Sequence, residues 1–136
     1  MKGKVILVDG LKFLGVTESG RTLVLQSSTE PDRMAPPPMQ VLLVTLGACT
    51  AMDVKAILDR LGQRVEGMEL RLSATRAKDH PRVFKRIVIT YSVRGDVEEE
   101  KLKEAIRLSQ DKFCPVSAHM KASGVEIVTR WEIIRS

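Results

Sequence analysis

Aromatic side chains are scarce: three Phe, one Tyr and one Trp make up 4% of the 136 residues. So few rings leave little on which successive nucleic-acid bases could stack. The net charge of +5 comes from 22 Lys and Arg against 17 Asp and Glu, and no basic run reaches five residues. Charge spread this thinly describes a solvated basic surface better than a nucleic-acid groove, so no nucleic-acid partner is expected. The nine glycines occur singly at turns, with no phosphate-cradling loop and no Gly-x-Ser-x-Gly elbow. Nucleotide-dependent and serine-hydrolase chemistry therefore lack their usual signatures. Of the two histidines, His80 falls in a loop and His119 follows Cys114 by five residues, so neither makes a ligand spacing with a cysteine pair. Neither a metal nor a cofactor is expected.

Long apolar runs are missing too. Met34 to Met52 is almost uncharged, but Pro36, Pro37 and Pro38 interrupt it. Its apolar part falls short of the roughly 20 residues of a bilayer span. The opening "MKGKVILVDGLK" has a run of only four apolar residues between its basic start and Asp9, where a signal peptide needs about 7 to 15. The expectation is a cytoplasmic protein of one domain, residues 1–136, with no membrane partner.

What is present divides into segments of different period. "KVILV", "KFLGV" and "TLVLQ" read as an antiparallel meander, separated by Asp-Gly and Ser-Gly turn signals. The Pro- and Ser-rich "SSTEPDRMAPPP" is a connecting loop. From Met39 apolar residues recur at three- and four-residue steps, along Leu42, Leu46, Cys49, Met52 or Asp53 and Ala56, and along Leu43, Val54, Ile57 and Leu61. This pattern predicts a helix led by Pro38 and ending near Gly62, apolar over more than half of its circumference. "MELRLSATR" and "FKRIVITYSV" alternate as a hairpin about "AKDHPR". A second helix follows, with Asp96 as its cap, Glu99 three residues on, and Leu102, Ile106 and Leu108 as its core stripe. Cys114 at a cap, Pro115 at the first helical position and Gly124 as a stop predict a short third helix, then a last strand "VEIVTRWEII". Strands and helices are segregated, which makes the class α+β.

Two cysteines without an export signal argue against a disulfide framework, leaving a redox pair or two inert core thiols. A functional thiol needs its anion, and hence a helix N-terminus or a nearby cation. Cys114 has the first. Cys49 lies about three turns into its helix, with Asp53 one turn further on, so its activation would have to come from elsewhere in the fold or from a second subunit.

"PMQVLLVTLGACTAMDV" resembles the central-helix motif of the OsmC/Ohr family, the osmotically inducible and organic-hydroperoxide-resistance proteins. The matching residues are Pro38, Gly47, Ala48, Cys49 and Met52, and "CPVSAHMKASGVEI" resembles the family's second-cysteine segment. The similarity in element order runs from the first strand to Trp131. The resemblance implies an OsmC-like fold in which antiparallel strands wrap a long central helix in an intertwined homodimer. It also implies a cytoplasmic thiol peroxidase of the oxidative stress response. In such an enzyme Cys49 attacks a small-molecule organic hydroperoxide or peroxide, Cys114 resolves the product as a disulfide, and a dithiol reductant restores both thiols. The family's peroxidases place a glutamate ten residues before the first cysteine, orienting an arginine beside the thiolate. This chain has Met39 there and Gln40 next; Lys12 stands where the arginine usually precedes the first turn, and Arg21 follows that turn. These departures also fit an alternative, a non-catalytic dimer that binds a hydrophobic small molecule in its apolar cleft.

Overall fold

A computed structural model describes residues 1–135, which divide into two compact units, Met1–Leu42 and the remainder from Leu43. The first unit is the expected meander: β1 (Gly3–Asp9), β2 (Lys12–Thr17) and β3 (Thr22–Gln26) pair antiparallel in sequence order. The loop after β3 is folded around Gln26, whose buried amide donates to Asp32 O at 2.8 Å and accepts from Ala35 N–H at 3.1 Å. Along β1, by contrast, every residue is exposed, Val5 and Leu7 included.

In the second unit β4 (Arg64–Arg76) pairs antiparallel with β5 (Phe84–Asp96), as the alternation requires. The last strand, β6 (Glu126–Ile134), runs parallel to β5 in a register from Arg86↔Glu126 to Arg94↔Ile134. The sheet is thus mixed rather than wholly antiparallel. A parallel neighbour needs a crossover of a dozen or more residues, and α2 (Glu99–Leu108), a π-helical turn (Ser109–Phe113) and α3 (Pro115–Ala122) supply it. Ile87, Ile89, Tyr91 and Val93 alternate along β5 and are wholly buried, with Leu102 and Ala105 of α2.

The long helix, α1 (Pro38–Arg60), starts at Pro38 and stops just before Gly62, which takes φ +70°. Its buried residues are Leu46, Gly47, Thr50, Val54 and Leu58. The core row therefore passes through a threonine, while apolar Val44 and Met52 stay 66% and 70% exposed. Pro38 begins the helix instead of breaking it, as the sequence predicts, and α1 runs for 23 residues. By length and composition it could cross a bilayer, its most apolar 18 residues having a mean hydropathy of 1.8. Of that window 28% is buried, along the stripe it packs into the second unit. Gly47 packs against Leu72, whose Cδ1 would lie 2.7 Å from a Cβ there and would have to turn aside.

The start of α2 differs from expectation. Asp96 ends β5, paired with Arg64, and Glu98 is the N-cap, without a side-chain capping bond. Gly95 is the reason: at φ +142° it turns the chain where an added Cβ would lie 2.1 Å from Arg64 O. A side chain at that point meets backbone, which cannot swing away. Gly95→Ala should cost about 2–3 kcal/mol of stability, read as a lowered denaturation midpoint at unchanged slope; an unchanged midpoint would remove this account of the β5–α2 junction.

Candidate functional site

Cys49 faces the N-terminus of α3. Pro115 opens that helix, and Cys114 caps it, its Sγ accepting the Ser117 N–H at 3.3 Å. The Cys49 thiol is close enough to the adjacent Val116 N–H and to the Cys114 thiol to feel both electrostatically. Two sulfurs remote in sequence are thus neighbours at one helix N-terminus, with Cys114 holding a backbone N–H of its first turn. The two differ in access: Cys114 is 3% exposed, whereas Cys49 is only partly buried.

The approach depends on the π-helical turn. Widening the end of α2 to i→i+5 bonding places Cys114 N–H on Ser109 O at 2.8 Å and turns both Ser109 and Gln110 inward. Their side chains join a buried polar cluster. Thr50 Oγ1 lies 2.7 Å from both Tyr91 Oη and Ser109 Oγ, and Ser109 donates to Asp53 Oδ2 at 2.9 Å. Gln110 Nε2 donates to Thr50 Oγ1 and Tyr91 Oη, both at 3.2 Å, while its Oε1 accepts from Ser117 Oγ at 3.0 Å. Among the described residues no buried side-chain polar atom is left without a partner, as a low-dielectric interior requires. Burial holds the Tyr91 hydroxyl protonated, its pKa raised despite bonds from Thr50 and Gln110.

The pair of cysteines was legible as candidates; the cluster behind it was not. Thr50 sits in an apolar row, and its signal is its position one turn after Leu46 and one before Val54. Ser109 and Gln110 follow the α2 stripe, but only the π-type insertion brings two consecutive polar residues inward. No periodicity announces that.

Electrostatics favour the neutral thiol at Cys49. Burial is the largest cause of its raised pKa, followed by the Cys114 thiol; the Val116 N–H opposes them and the Asp53 carboxylate adds to them. No cation figures among these influences. Lys12 and Arg21 both belong to the first unit, where Lys12 pairs with Asp32 at 3.3 Å. In the second unit Lys121 donates to Gln110 O at 2.8 Å, and Lys55 pairs with Asp59.

The chain belongs to the OsmC-like protein family, whose profile matches residues 30–130. In particular it is similar to Protein YhfA of Escherichia coli (strain K12), 33% identical over 135 residues and 98% of either chain. Among solved structures it superposes on a hypothetical protein from Aquifex aeolicus VF5 with a TM-score of 0.89 and 30% identity, over 99% of this chain and 96% of the other. It also superposes on the organic hydroperoxide resistance protein OhrB of Bacillus subtilis, with a TM-score of 0.65 over 97% of this chain and 98% of that one. At 18% identity the second similarity is one of fold alone.

A thiol with a raised pKa has less anion at neutral pH than free cysteine. Alkylation of Cys49 by iodoacetamide, followed by peptide mass spectrometry, should therefore climb through the ordinary thiol value of 9.0 without levelling off below it. A plateau well on the acid side of that value would reveal a cation acting on the sulfur and contradict this reading.

Proposed function

We propose that the protein is a thiol-dependent peroxidase in which Cys49 is the nucleophile and Cys114 the resolving thiol. The supporting observation is the pair itself, two neighbouring thiols at the N-terminus of α3. Access assigns the roles, because the partly buried Cys49 meets a peroxide before the enclosed Cys114 does. The Cys49 sulfur, once deprotonated, attacks one peroxide oxygen and the O–O bond breaks. An organic hydroperoxide leaves as its alcohol after taking up a proton, and Cys49 becomes a sulfenic acid. The Cys114 sulfur then attacks Cys49 Sγ, the S–O bond breaks, and hydroxide leaves with the thiol proton as water. Two thiols and one peroxide thus give one disulfide, one alcohol and one water. A cellular dithiol returns the pair to its reduced state by exchange.

Ionisation of Cys49 is the demanding step in this scheme. Met39 and Gln40 stand where the family's peroxidases carry the orienting glutamate, and Lys12 is paired with Asp32. The reaction should accordingly be slow near neutrality and quicken with pH.

We also propose a homodimer. A bare apolar groove of about 520 Å³, lined by Val44, Ala48, Met52, Met68, Leu70 and Leu72 among others, lies where α1 and β4 leave apolar surface uncovered. Exposed apolar area of this kind marks an association or ligand surface. Replacing Met52 with Glu should convert the dimer to monomer in sedimentation velocity; an unaltered dimer would take α1 out of the interface.

The same groove supports a second reading, a dimer that holds a hydrophobic small molecule without turnover, and the raised Cys49 pKa favours it. One equivalent of cumene hydroperoxide separates the two. A peroxidase converts both thiols of each chain into an intramolecular disulfide, and Cys49→Ser abolishes peroxide consumption. Thiols that still react fully after exposure, with a small molecule retained in native mass spectra, would overturn the peroxidase in favour of the binding protein.

A further inference from the structure

The buried cluster does more than fill space, because one of its members joins the surroundings of the two sulfurs. Gln110 is 8% exposed and its side chain spans three elements. Its amide donates to Thr50, the residue after Cys49 on α1, and to Tyr91 on β5. Its carbonyl oxygen accepts from Ser117 on α3, whose N–H is bound to Cys114 Sγ. The backbone carbonyl of Gln110 is held in turn by Lys121 Nζ. The residue before it, Ser109, fixes the Cys114 N–H through its own carbonyl and ties the turn to α1 through Thr50 and Asp53. Only a side chain with both a donor and an acceptor at its tip can satisfy hydroxyls on α1 and β5 while receiving one from α3.

We propose that Gln110 is a positioning residue for the thiol pair. It holds the α3 N-terminus in register with α1, so that Cys114 Sγ stays in reach of Cys49 and closes the disulfide. This deepens the peroxidase reading but rests on it only for the identity of the oxidant, since any two-electron oxidant that makes the disulfide meets the same constraint. Misplacing a reacting group by about 1 Å can cost on the order of 100-fold, so loosening one anchor should show clearly in the closure step.

The test is the equilibrium between the Cys49–Cys114 disulfide and a glutathione redox buffer, which gives the effective concentration of one thiol toward the other. Gln110→Met keeps the length of the side chain and leaves the Thr50–Tyr91 bond in place, but removes the acceptor for Ser117 and the two amide donations. Its effective concentration should fall about tenfold or more. Ser117→Ala, which retains the N–H on Cys114 and removes only the link to Gln110, should lower it in the same direction. The fall should be seen in variants whose denaturation slope matches that of the unsubstituted protein. An effective concentration within about twofold of the unsubstituted value in Ser117→Ala, or in a folded Gln110→Met, overturns the proposal, as does failure of the unsubstituted protein to form the disulfide in the buffer. Disulfide formation in the buffer but none with peroxide would retain the positioning role and remove the peroxidase.

Discussion

The meeting of two sulfurs at one helix N-terminus is the constraint on which the site is built. Cys114 accepts the Ser117 N–H as the cap of α3, and Cys49 lies near enough to feel both the Val116 N–H and the Cys114 thiol. Backbone groups at a helix start have no partner within the helix, and here sulfur takes the place usually held by a serine or aspartate oxygen. The rest of the second unit can be read as support for that meeting. β5 supplies Tyr91 as a fixed post, and α1 supplies Thr50 beside Cys49. The π-helical turn swings Ser109 and Gln110 into the gap between them.

This arrangement organises the pair without ionising it. Desolvation dominates at Cys49 and the Asp53 carboxylate adds to it, so the surroundings suit closing a disulfide better than storing a thiolate. The departures at Met39 and Gln40 agree with that balance. The raised pKa of Cys49 lowers its anion fraction, and with it any reaction that needs the thiolate, at neutral pH.

Much of the fold was legible because hydrophobic period and turn chemistry agree along the chain. The meander, the helix from Pro38, the β4–β5 hairpin and the Cys114-Pro115 cap all follow from local rules. Three features escaped those rules, each for a reason of its own. Pairing direction is not written in alternation, so the parallel β6 emerged only from the crossover. Asp96 carries a capping residue's chemistry, yet Gly95 bends the chain late enough to leave it in the strand. The polar cluster is the largest omission: Thr50, Tyr91 and Gln110 lie far apart in sequence, and each by itself looks like a side chain that happens to be buried. Cys114 could be picked out by its cap and Cys49 only through the family resemblance, and their proximity is a property of the tertiary structure.

The central claim is that Cys49 and Cys114 can join with little movement of the elements that carry them. Diffraction from crystals of the reduced protein, and of the same crystals after exposure to an organic hydroperoxide, tests it most directly. The account predicts neighbouring sulfurs in the first state and continuous density between them in the second, with the backbones of α1 and α3 unmoved. Sulfurs that point apart when reduced, or a Cys49 carrying oxygen while Cys114 stays free, would contradict it.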